Sequence, residues 1–194
     1  MKNILLLGDS IRMGYDSIVR EILQDEAQVT WHTENARYAP YTMRALTGWK
    51  NEDIRPETID LIHWNNGLWD ILHHGFDEET QTSPEEYRRD LKGIIRRLRR
   101  FFPNAKICFA NTTFVIEESY GKEFYRRNSD IEHFNRIAAE VMEVEGIPID
   151  DLYSVSRDMP REYHTPDGTH FTPEGYRVLA EAVCAFLRGQ KTEN

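Results

Sequence analysis

The sequence predicts a single α/β domain built on a parallel sheet of five strands. Short apolar runs typical of buried strands alternate along the chain with longer stretches whose apolar residues recur at helical spacing. The 194 residues contain no repeat, low-complexity segment or linker, and they suit one domain with a sizeable core. This alternation implies βαβ units with right-handed crossovers, so a parallel sheet is expected.

The first unit joins a buried strand to a helix through a short polar turn. Residues 4–7 are all apolar, Gly8-Asp9-Ser10 follow them, and residues 13–23 then carry apolar side chains on one helical face. Ser10 is therefore expected at the carboxyl edge of the sheet, where open α/β sheets place their sites. The adjacent helix N-terminus favours developing negative charge. On this stretch alone, Ser10 is either a nucleophile or a helix N-cap.

The remaining elements follow in chain order. Strands are predicted over residues 29–32, 59–64, 106–110 and 147–152. Helices are predicted from Tyr41 to about Trp49, from the Ser83-Pro84-Glu85-Glu86 start to an end at Phe102-Pro103-Asn104, and from Ser129 with Glu132 to Gly146. The last helix is predicted to start at Thr172-Pro173-Glu174, with a frayed tail after Gly189. Polar loops are predicted after the third strand to Ser83, over residues 111–128, and over residues 154–171.

The charge and cysteine content limit the kinds of partner. A formal net charge of -9 argues against nucleic acid or an anionic membrane as the main partner. The basic run at residues 96–100 falls late in a predicted helix, where a solvated cationic face is expected. Residues 4–7 are too short a run for a signal-peptide core, so a cytoplasmic protein is expected. Cys108 and Cys184 lie in predicted core elements, which predicts buried, reduced thiols.

A second polar segment has the residues that could activate a serine. Asp167 and His170 are three positions apart on the loop after the fifth predicted strand. In a parallel sheet this loop lies at the same edge as Ser10. A histidine there can act as a base while the aspartate fixes its tautomer, as in serine-histidine-acid triads. Taken alone, the segment is better explained as a loop histidine beside a turn-capping aspartate, but the matching segments at the same edge of the sheet favour the catalytic interpretation.

Together these segments resemble the SGNH (GDSL-type) hydrolases. The resemblance rests on Gly8-Asp9-Ser10, on Asp167-Gly168-Thr169-His170 and on the order of the βα units, and residues 127–135 and 167–176 also look like the family. It implies a flavodoxin-like three-layer α/β/α sandwich and ester hydrolysis without a metal or other cofactor. It also implies that Ser10 is the nucleophile, with its N–H as one oxyanion donor. His170 would be the general base and Asp167 its orienting acid.

Two segments depart from the family pattern at the groups that would stabilise the oxyanion. The expected glycine of the second block falls at about Pro40, which has no N–H. Trp69 stands where the third block usually has asparagine. Because one such donor is typically worth roughly a hundredfold in rate, a replacement is expected. The candidate oxyanion or substrate-binding groups are Asn65, Asn66, Gly67, Arg12, Arg37, Trp69 and the Ala39 N–H.

Several of these candidates have an alternative reading. Asn65 or Asn66 is the favoured replacement donor, although both could simply form a turn. Arg12 could meet a polyhydroxylated or anionic substrate, or could pair with an acid. The aromatic residues near the expected edge could stack on a sugar, line an acyl pocket or belong to the core; they are Trp64, Trp69, Tyr38 and Tyr41.

Two groups of potential metal ligands are weaker candidates for a functional site than the serine, histidine and aspartate. They are His73-His74 with Asp70 and Asp77, and His164 with Asp167 and His170. The first group fits no established ligand spacing and is expected to be a polar surface loop. The second comes from one loop, which seldom suffices for a metal without a further ligand. No metal is therefore expected.

The sequence leads to the expectation of a serine esterase acting on a small-molecule or carbohydrate ester. The mostly polar loops favour a small acyl group such as O-acetyl over a long lipid chain. A thioesterase or lysophospholipase of the same fold, an acyl transferase, and a catalytically weak descendant that binds a glycan or a protein are the alternatives. The oligomeric state is not specified by the sequence.

Overall fold

The computed structural model of the chain describes residues 1–48 and 54–191. Within these residues the central sheet consists of β1 (Lys2–Leu7), β2 (Ala27–Trp31), β3 (Leu61–Trp64), β4 (Lys106–Ala110) and β5 (Ile149–Asp150). The strand order is β2-β1-β3-β4-β5, and every neighbouring pair is parallel. This is the flavodoxin-like order, so the predicted fold class is confirmed.

Helices cover both faces of the sheet. They are α1 (Ser10–Ile22), α2 (Ala39–Ala45), α3 (Pro84–Phe101), α4 (Asn128–Glu145), α5 (Leu152–Arg157) and α6 (Pro173–Arg188). Helix α1 packs against α6 on one face, and α3 packs against α2 and α4 on the other. Leu5, Ile62 and Phe109 in the middle strands are fully buried between these layers. No described helix has the length and apolar character needed to cross a membrane.

The strongest local sequence signals have the structures they predict. Ser83 and Glu86 form a reciprocal capping box at the start of α3. The Thr172 hydroxyl accepts the Gly175 N–H at the start of α6. Gly146 ends α4 in the left-handed conformation with φ of 65°. Both cysteines are free and buried, as expected.

Weaker signals misplaced several boundaries. The predicted strand over residues 147–152 is ordered as a strand only at Ile149–Asp150, because the Asp151 carboxylate accepts the Ser154 N–H and begins α5. Helix α4 begins at Asn128 rather than at Ser129. Helix α2 begins at Ala39 and ends at Ala45, while the predicted end at Trp49 lies outside the described residues.

Two loops that were expected to be irregular pair with each other beside the sheet. Residues His73–His74 and Phe124–Tyr125 form a short antiparallel ladder. This ladder joins the loop after β3 to the loop after β4. The stretch over residues 111–128 is thereby fixed next to the carboxyl edge of the sheet.

Candidate active site

The turn after β1 places Ser10 at the first position of α1. The helix cap is Asp9, whose Oδ1 accepts the Ile11 N–H at 3.0 Å. Ser10 is therefore not the N-cap, and its hydroxyl is available for another contact. The Ser10 residue is half-buried at the carboxyl edge of the sheet.

The loop before α6 brings a histidine and an aspartate to this hydroxyl. His170 Nε2 lies 2.9 Å from Ser10 Oγ, across 160 positions of sequence. His170 Nδ1 lies 2.7 Å from Asp167 Oδ2. When Nδ1 carries the proton and donates it to Asp167, Nε2 is free to accept the proton of Ser10. This arrangement can activate an alcohol as a nucleophile by general-base catalysis.

Asp167 is held by its own turn. Its Oδ1 accepts the Thr165 hydroxyl at 2.7 Å, the Thr169 N–H at 2.8 Å and the His170 N–H at 2.9 Å. Partial burial raises the pKa of the Asp167 carboxyl, but the hydrogen bonds from His170, Thr165 and Thr169 outweigh it and hold this pKa well below its ordinary value. Asp167 is therefore ionised throughout the pH range in which histidines titrate.

The loop over residues 111–128 supports the turn that carries His170. Gly168 adopts a left-handed conformation with φ of 73° and accepts the Ile116 N–H at 2.8 Å. A Cβ at Gly168 would lie 2.5 Å from the Ile116 carbonyl oxygen and 2.7 Å from Ser119 Cβ. Only glycine fits this position without displacing the neighbouring loop.

Arg126, which the sequence analysis did not identify, connects two loops of the site. Its Nε donates to the Leu68 carbonyl oxygen, and its Nη1 reaches Thr169 Oγ1 at 3.5 Å. The Tyr120 hydroxyl also lies 2.8 Å from Thr169 Oγ1. Arg126 thus ties the loop after β3 to the residue that precedes His170. No sequence signal marked it, because its position depends on the pairing of two distant loops.

Asn66 does not meet the expectation that it is an oxyanion donor. It is fully buried, and its Nδ2 donates to the Arg37 carbonyl oxygen and to Thr42 Oγ1, both at 2.9 Å. Its Oδ1 accepts Trp64 Nε1 at 2.7 Å. All of its polar atoms are thus used inside the protein. The structural alternative is correct for Asn66, and Trp64 belongs to the core rather than to a substrate surface.

The Ala39 N–H is also already engaged, because it donates to Asp70 Oδ1 at 2.9 Å. Burial raises the pKa of the Asp70 carboxyl to about 7. His73 is buried as well, pairs with Asp130 Oδ2 at 2.9 Å and stacks on Tyr125. The expectation of an exposed polar loop was therefore wrong for Asp70 and His73.

Arg12 is a structural residue. It is 1 % exposed, and its guanidinium pairs with Asp16 at 2.8 Å. The same guanidinium donates to the carbonyl oxygens of Gly8 and Glu34 at 3.3 and 2.9 Å. The alternative that Arg12 pairs with an acid is correct. Its contribution is to hold the turn before Ser10, and it has no exposed surface with which to bind a substrate.

Arg37 and the nearby aromatic residues line the surface beside this turn. Arg37 is exposed, has a left-handed backbone with φ of 52°, and stacks its guanidinium 4.7 Å from the Tyr41 ring centroid. Tyr38 and Tyr41 have ring centroids 6.1 Å apart and are half-buried. Trp69 is half-buried too. Roles for these residues in substrate binding stay predictions.

Gly67 and Gly8 both allow a neighbouring side chain to approach the backbone. A Cβ at Gly67 would lie 2.0 Å from Thr112 Oγ1, which explains the glycine without a role in catalysis. A Cβ at Gly8 would lie 1.7 Å from Asn65 Oδ1. Asn65 therefore lies directly against the turn that carries Ser10. Asn65 is buried at 7% exposure, and Asn66 is fully buried.

The described residues contain no cluster of three or more histidine, cysteine, aspartate or glutamate side chains suited to a metal ion. His164 is buried and packs its ring 4.8 Å from the Phe171 ring centroid. It therefore contributes to the core beneath the loop rather than to the open site.

Comparison with known proteins agrees with this architecture. The model of the GDSL-like lipase/acylhydrolase family matches residues 6–178. A lipase/acylhydrolase from Enterococcus faecalis is similar in structure, with a TM-score of 0.76, 18% identity and complete coverage of both chains. The acetyl xylan esterase AlAXEase has a TM-score of 0.73 and 17% identity, over 95% of this chain and 99% of its own. TesA has a TM-score of 0.69 and 18% identity, over 96% and 98%. No curated protein matches the chain in sequence.

Proposed function

The chain belongs to the GDSL-like lipase/acylhydrolase family, and from this premise we propose that it is a serine esterase that hydrolyses small acyl esters through Ser10, His170 and Asp167. The observation that supports this most is the continuous contact from Ser10 Oγ to His170 Nε2 at 2.9 Å and from His170 Nδ1 to Asp167 at 2.7 Å. The proposed reaction uses no metal or other cofactor.

In the proposed reaction His170 relays one proton during acylation of Ser10 and a second proton during deacylation. Its Nε2 takes the proton of Ser10 as Oγ attacks the ester carbonyl carbon, and the ionised Asp167 stabilises the imidazolium that forms. The imidazolium then gives this proton to the departing alkoxide, which leaves an acyl group on Ser10. Water then gives a proton to Nε2 of the same imidazole as its oxygen attacks the acyl carbonyl carbon. The bond between this carbon and Ser10 Oγ breaks, Oγ takes the proton back from His170, and the carboxylic acid is released.

We assign two donors to the oxyanion. The Ser10 N–H lies in the first turn of α1, where backbone N–H groups have no partner within the helix. Asn65 is the second donor, because it lies against Gly8 beside Ser10, whereas Asn66 and the Ala39 N–H are engaged elsewhere. The Asn65 amide hydrogen-bonds the Asp9 carboxyl with one N–H, and its second N–H is assigned to the oxyanion. The helix N-terminus adds a favourable dipole at the same place. This assignment accounts for the tryptophan and proline at the two positions where the family usually supplies donors.

A small acyl group on a carbohydrate is the substrate that fits these features best. The His170 and Asp167 side chains are 37% and 53% exposed, so the site is an open polar surface. An apolar cavity lined by Leu5, Leu7, Leu46, Phe101 and Phe102 contains none of the residues assigned to catalysis. One similar structure is an acetyl xylan esterase, and half-buried rings such as Tyr41 beside the turn before Ser10 suit a sugar. The net charge of -9 also disfavours nucleic acid and anionic membranes, and we propose a cytoplasmic location.

Labelling with a fluorophosphonate tests the proposed nucleophile. We expect wild-type protein to be labelled on Ser10 and Ser10→Ala to be unlabelled while keeping its circular dichroism spectrum. A folded wild-type protein that resists labelling would contradict the proposal and favour a glycan- or protein-binding descendant.

A chain-length series of nitrophenyl esters tests the acyl group separately. We expect kcat/KM to be highest for acetate and to fall for octanoate and palmitate. A preference for the long chains would contradict the small-acyl assignment and favour a thioesterase or lysophospholipase, an activity class to which the similarity with TesA also points.

A further inference from the structure

A small polar cavity lies beneath the turn that carries Ser10. Its walls come from the ends of β1 and β3, from the segment after β4 and from α1, and they include Asp9, Tyr15, Asn65 and Thr113. Its volume, measured as the space open to the centre of a water molecule, is about 10 Å³. This is close to the minimum volume that holds a single water.

Four buried polar atoms on these walls have no hydrogen-bond partner among the described residues. They are Asp9 Oδ2, Tyr15 Oη, Asn65 Oδ1 and Thr113 Oγ1. The four residues are 0%, 1%, 7% and 3% exposed, so bulk solvent does not satisfy these atoms. Buried polar groups in folded proteins almost always have a partner, because leaving one unpaired is strongly unfavourable. Four such atoms around one cavity therefore indicate a shared ligand.

We propose that one internal water molecule occupies this cavity and bonds to all four atoms. A water has two hydrogens to donate, and the carboxylate of Asp9 and the carbonyl oxygen of Asn65 can only accept. It has two lone pairs to accept, and the hydroxyls of Tyr15 and Thr113 each have one hydrogen to donate. One water thus satisfies the whole set.

The same balance excludes a monovalent cation as the occupant. A cation would contact the oxygen lone pairs but would leave the hydroxyl hydrogens of Tyr15 and Thr113 without an acceptor. Burial raises the pKa of the Asp9 carboxyl, although the Asn65 side chain, the Ile11 N–H and the charges of Arg12 and Arg126 act in the opposite direction.

The water connects the strand that carries the nucleophile to its neighbours. It joins the cap of α1 at Asp9 to the residue after β3 at Asn65 and to the segment after β4 at Thr113. By donating to Asn65 Oδ1 it helps to fix this amide, whose NH₂ group hydrogen-bonds the Asp9 carboxyl. A role of the fixed amide in catalysis rests on the proposed function, in which Asn65 is an oxyanion donor. The presence of the water does not depend on that function.

Removal of single hydroxyl groups tests the proposal, because the loss of a hydroxyl that is bonded to the water should lower the stability of the fold. In Tyr15→Phe and Thr113→Val, we expect the equilibrium constant for unfolding to rise about fivefold, because each variant removes a satisfied buried hydrogen bond. Tyr87→Phe is the matched reference, since the buried Tyr87 hydroxyl donates directly to the Asn66 carbonyl oxygen at 2.8 Å. An unchanged or lower unfolding constant in Tyr15→Phe and Thr113→Val would overturn the proposal, because it is the result for unpaired hydroxyls. If Tyr15→Phe fails to fold, Thr113→Val alone decides.

Two further measurements identify the ligand as one shared water. In the Tyr15→Phe, Thr113→Val double variant the unfolding constant should rise by less than the product of the two single increases, because the first deletion already weakens the binding of the water. An increase equal to that product would overturn the shared site. Unfolding at equal ionic strength in choline, sodium and potassium chloride should give the same stability. A sodium- or potassium-specific gain that Tyr15→Phe abolishes would show a cation instead. These measurements need no esterase activity, so their outcome is independent of Ser10 labelling.

Discussion

Replacement of Asp167 by asparagine tests how much the acid contributes to a site that is open to solvent. The Asp167→Asn side chain keeps an oxygen that can accept the Thr169 and His170 N–H groups, so the turn is expected to persist. What is lost is the negative charge 2.7 Å from His170 Nδ1. Loss of this charge in a buried triad lowers kcat by about 10⁴-fold. Here the two side chains are 37% and 53% exposed, so water screens part of the interaction. We therefore expect a fall in kcat of about 10² to 10³-fold.

The assay is kcat against pH with nitrophenyl acetate, with Asp158→Asn as the control. Asp158 is an exposed acid that pairs with Arg157. It has no described contact with Ser10, His170 or Asp167. Because the hydrogen bonds of Asp167 hold its pKa below the ordinary value of 3.8, this carboxylate contributes stability above that value and loses it as the pH falls further. The acid limb of the wild-type profile above that value should therefore not arise from Asp167. An Asp167→Asn enzyme within threefold of wild type at its best pH would refute the reasoning.

Three further predictions concern the surroundings of Ser10. Asn65→Ala should lower kcat about a hundredfold with little change in KM. Asn66→Ala should mainly lower the free energy of unfolding, because it breaks three hydrogen bonds inside the protein. Enzyme kinetics and urea unfolding measure the two effects, and the reverse pattern would contradict the assignment of Asn65 as the donor. Gly8→Ala should also lower kcat, since its Cβ would lie 1.7 Å from Asn65 Oδ1 and 2.9 Å from Arg12 Cβ. In the Asn65→Ala background the effect should be smaller, because only the contact with Arg12 remains; equal effects in both backgrounds would exclude the Asn65 contact as the cause. Burial raises the pKa of Asp70 to about 7, so its protonated form is favoured in the folded state and stability should fall by roughly 1.4 kcal/mol per unit as pH rises from about 4 to 7. Asp70→Asn should remove this slope in urea unfolding at several pH values, and an unaltered slope would show that another group causes it.

The parts of the fold that local sequence determines were predictable. The apolar run after Asn3 and the capping residues Ser83 and Thr172 act through neighbours within a few positions, and each has the predicted structure. Helix α5 was missed because six residues are too few to show a helical period. Its start depends on the Asp151 carboxylate, which accepts hydrogen bonds from the Ser154 N–H and from the side chain of Asn111, the residue that follows β4. Sequence spacing does not reveal that second partner.

In the candidate site, too, some residues could be predicted from the sequence and others depend on distant contacts. Ser10, Asp167 and His170 could be singled out because strand ends in a parallel sheet meet at one edge. The choice between Asn65 and Asn66 could not be made, since adjacent residues leaving a strand point in different directions and only the packing of Trp64 and Thr42 shows that Asn66 faces inward. Arg126 was missed for a related reason. Its position follows from the antiparallel pairing of residues 73–74 with residues 124–125, which no local pattern predicts.

Mass spectrometry of the protein during turnover of nitrophenyl acetate tests the central claim most directly. The account predicts that rapid acid quenching traps one acetyl group per chain, that peptide mapping locates it on Ser10, and that His170→Ala abolishes its accumulation. Hydrolysis at a normal rate with no acetyl on Ser10, or with the acetyl on another residue, would contradict the account.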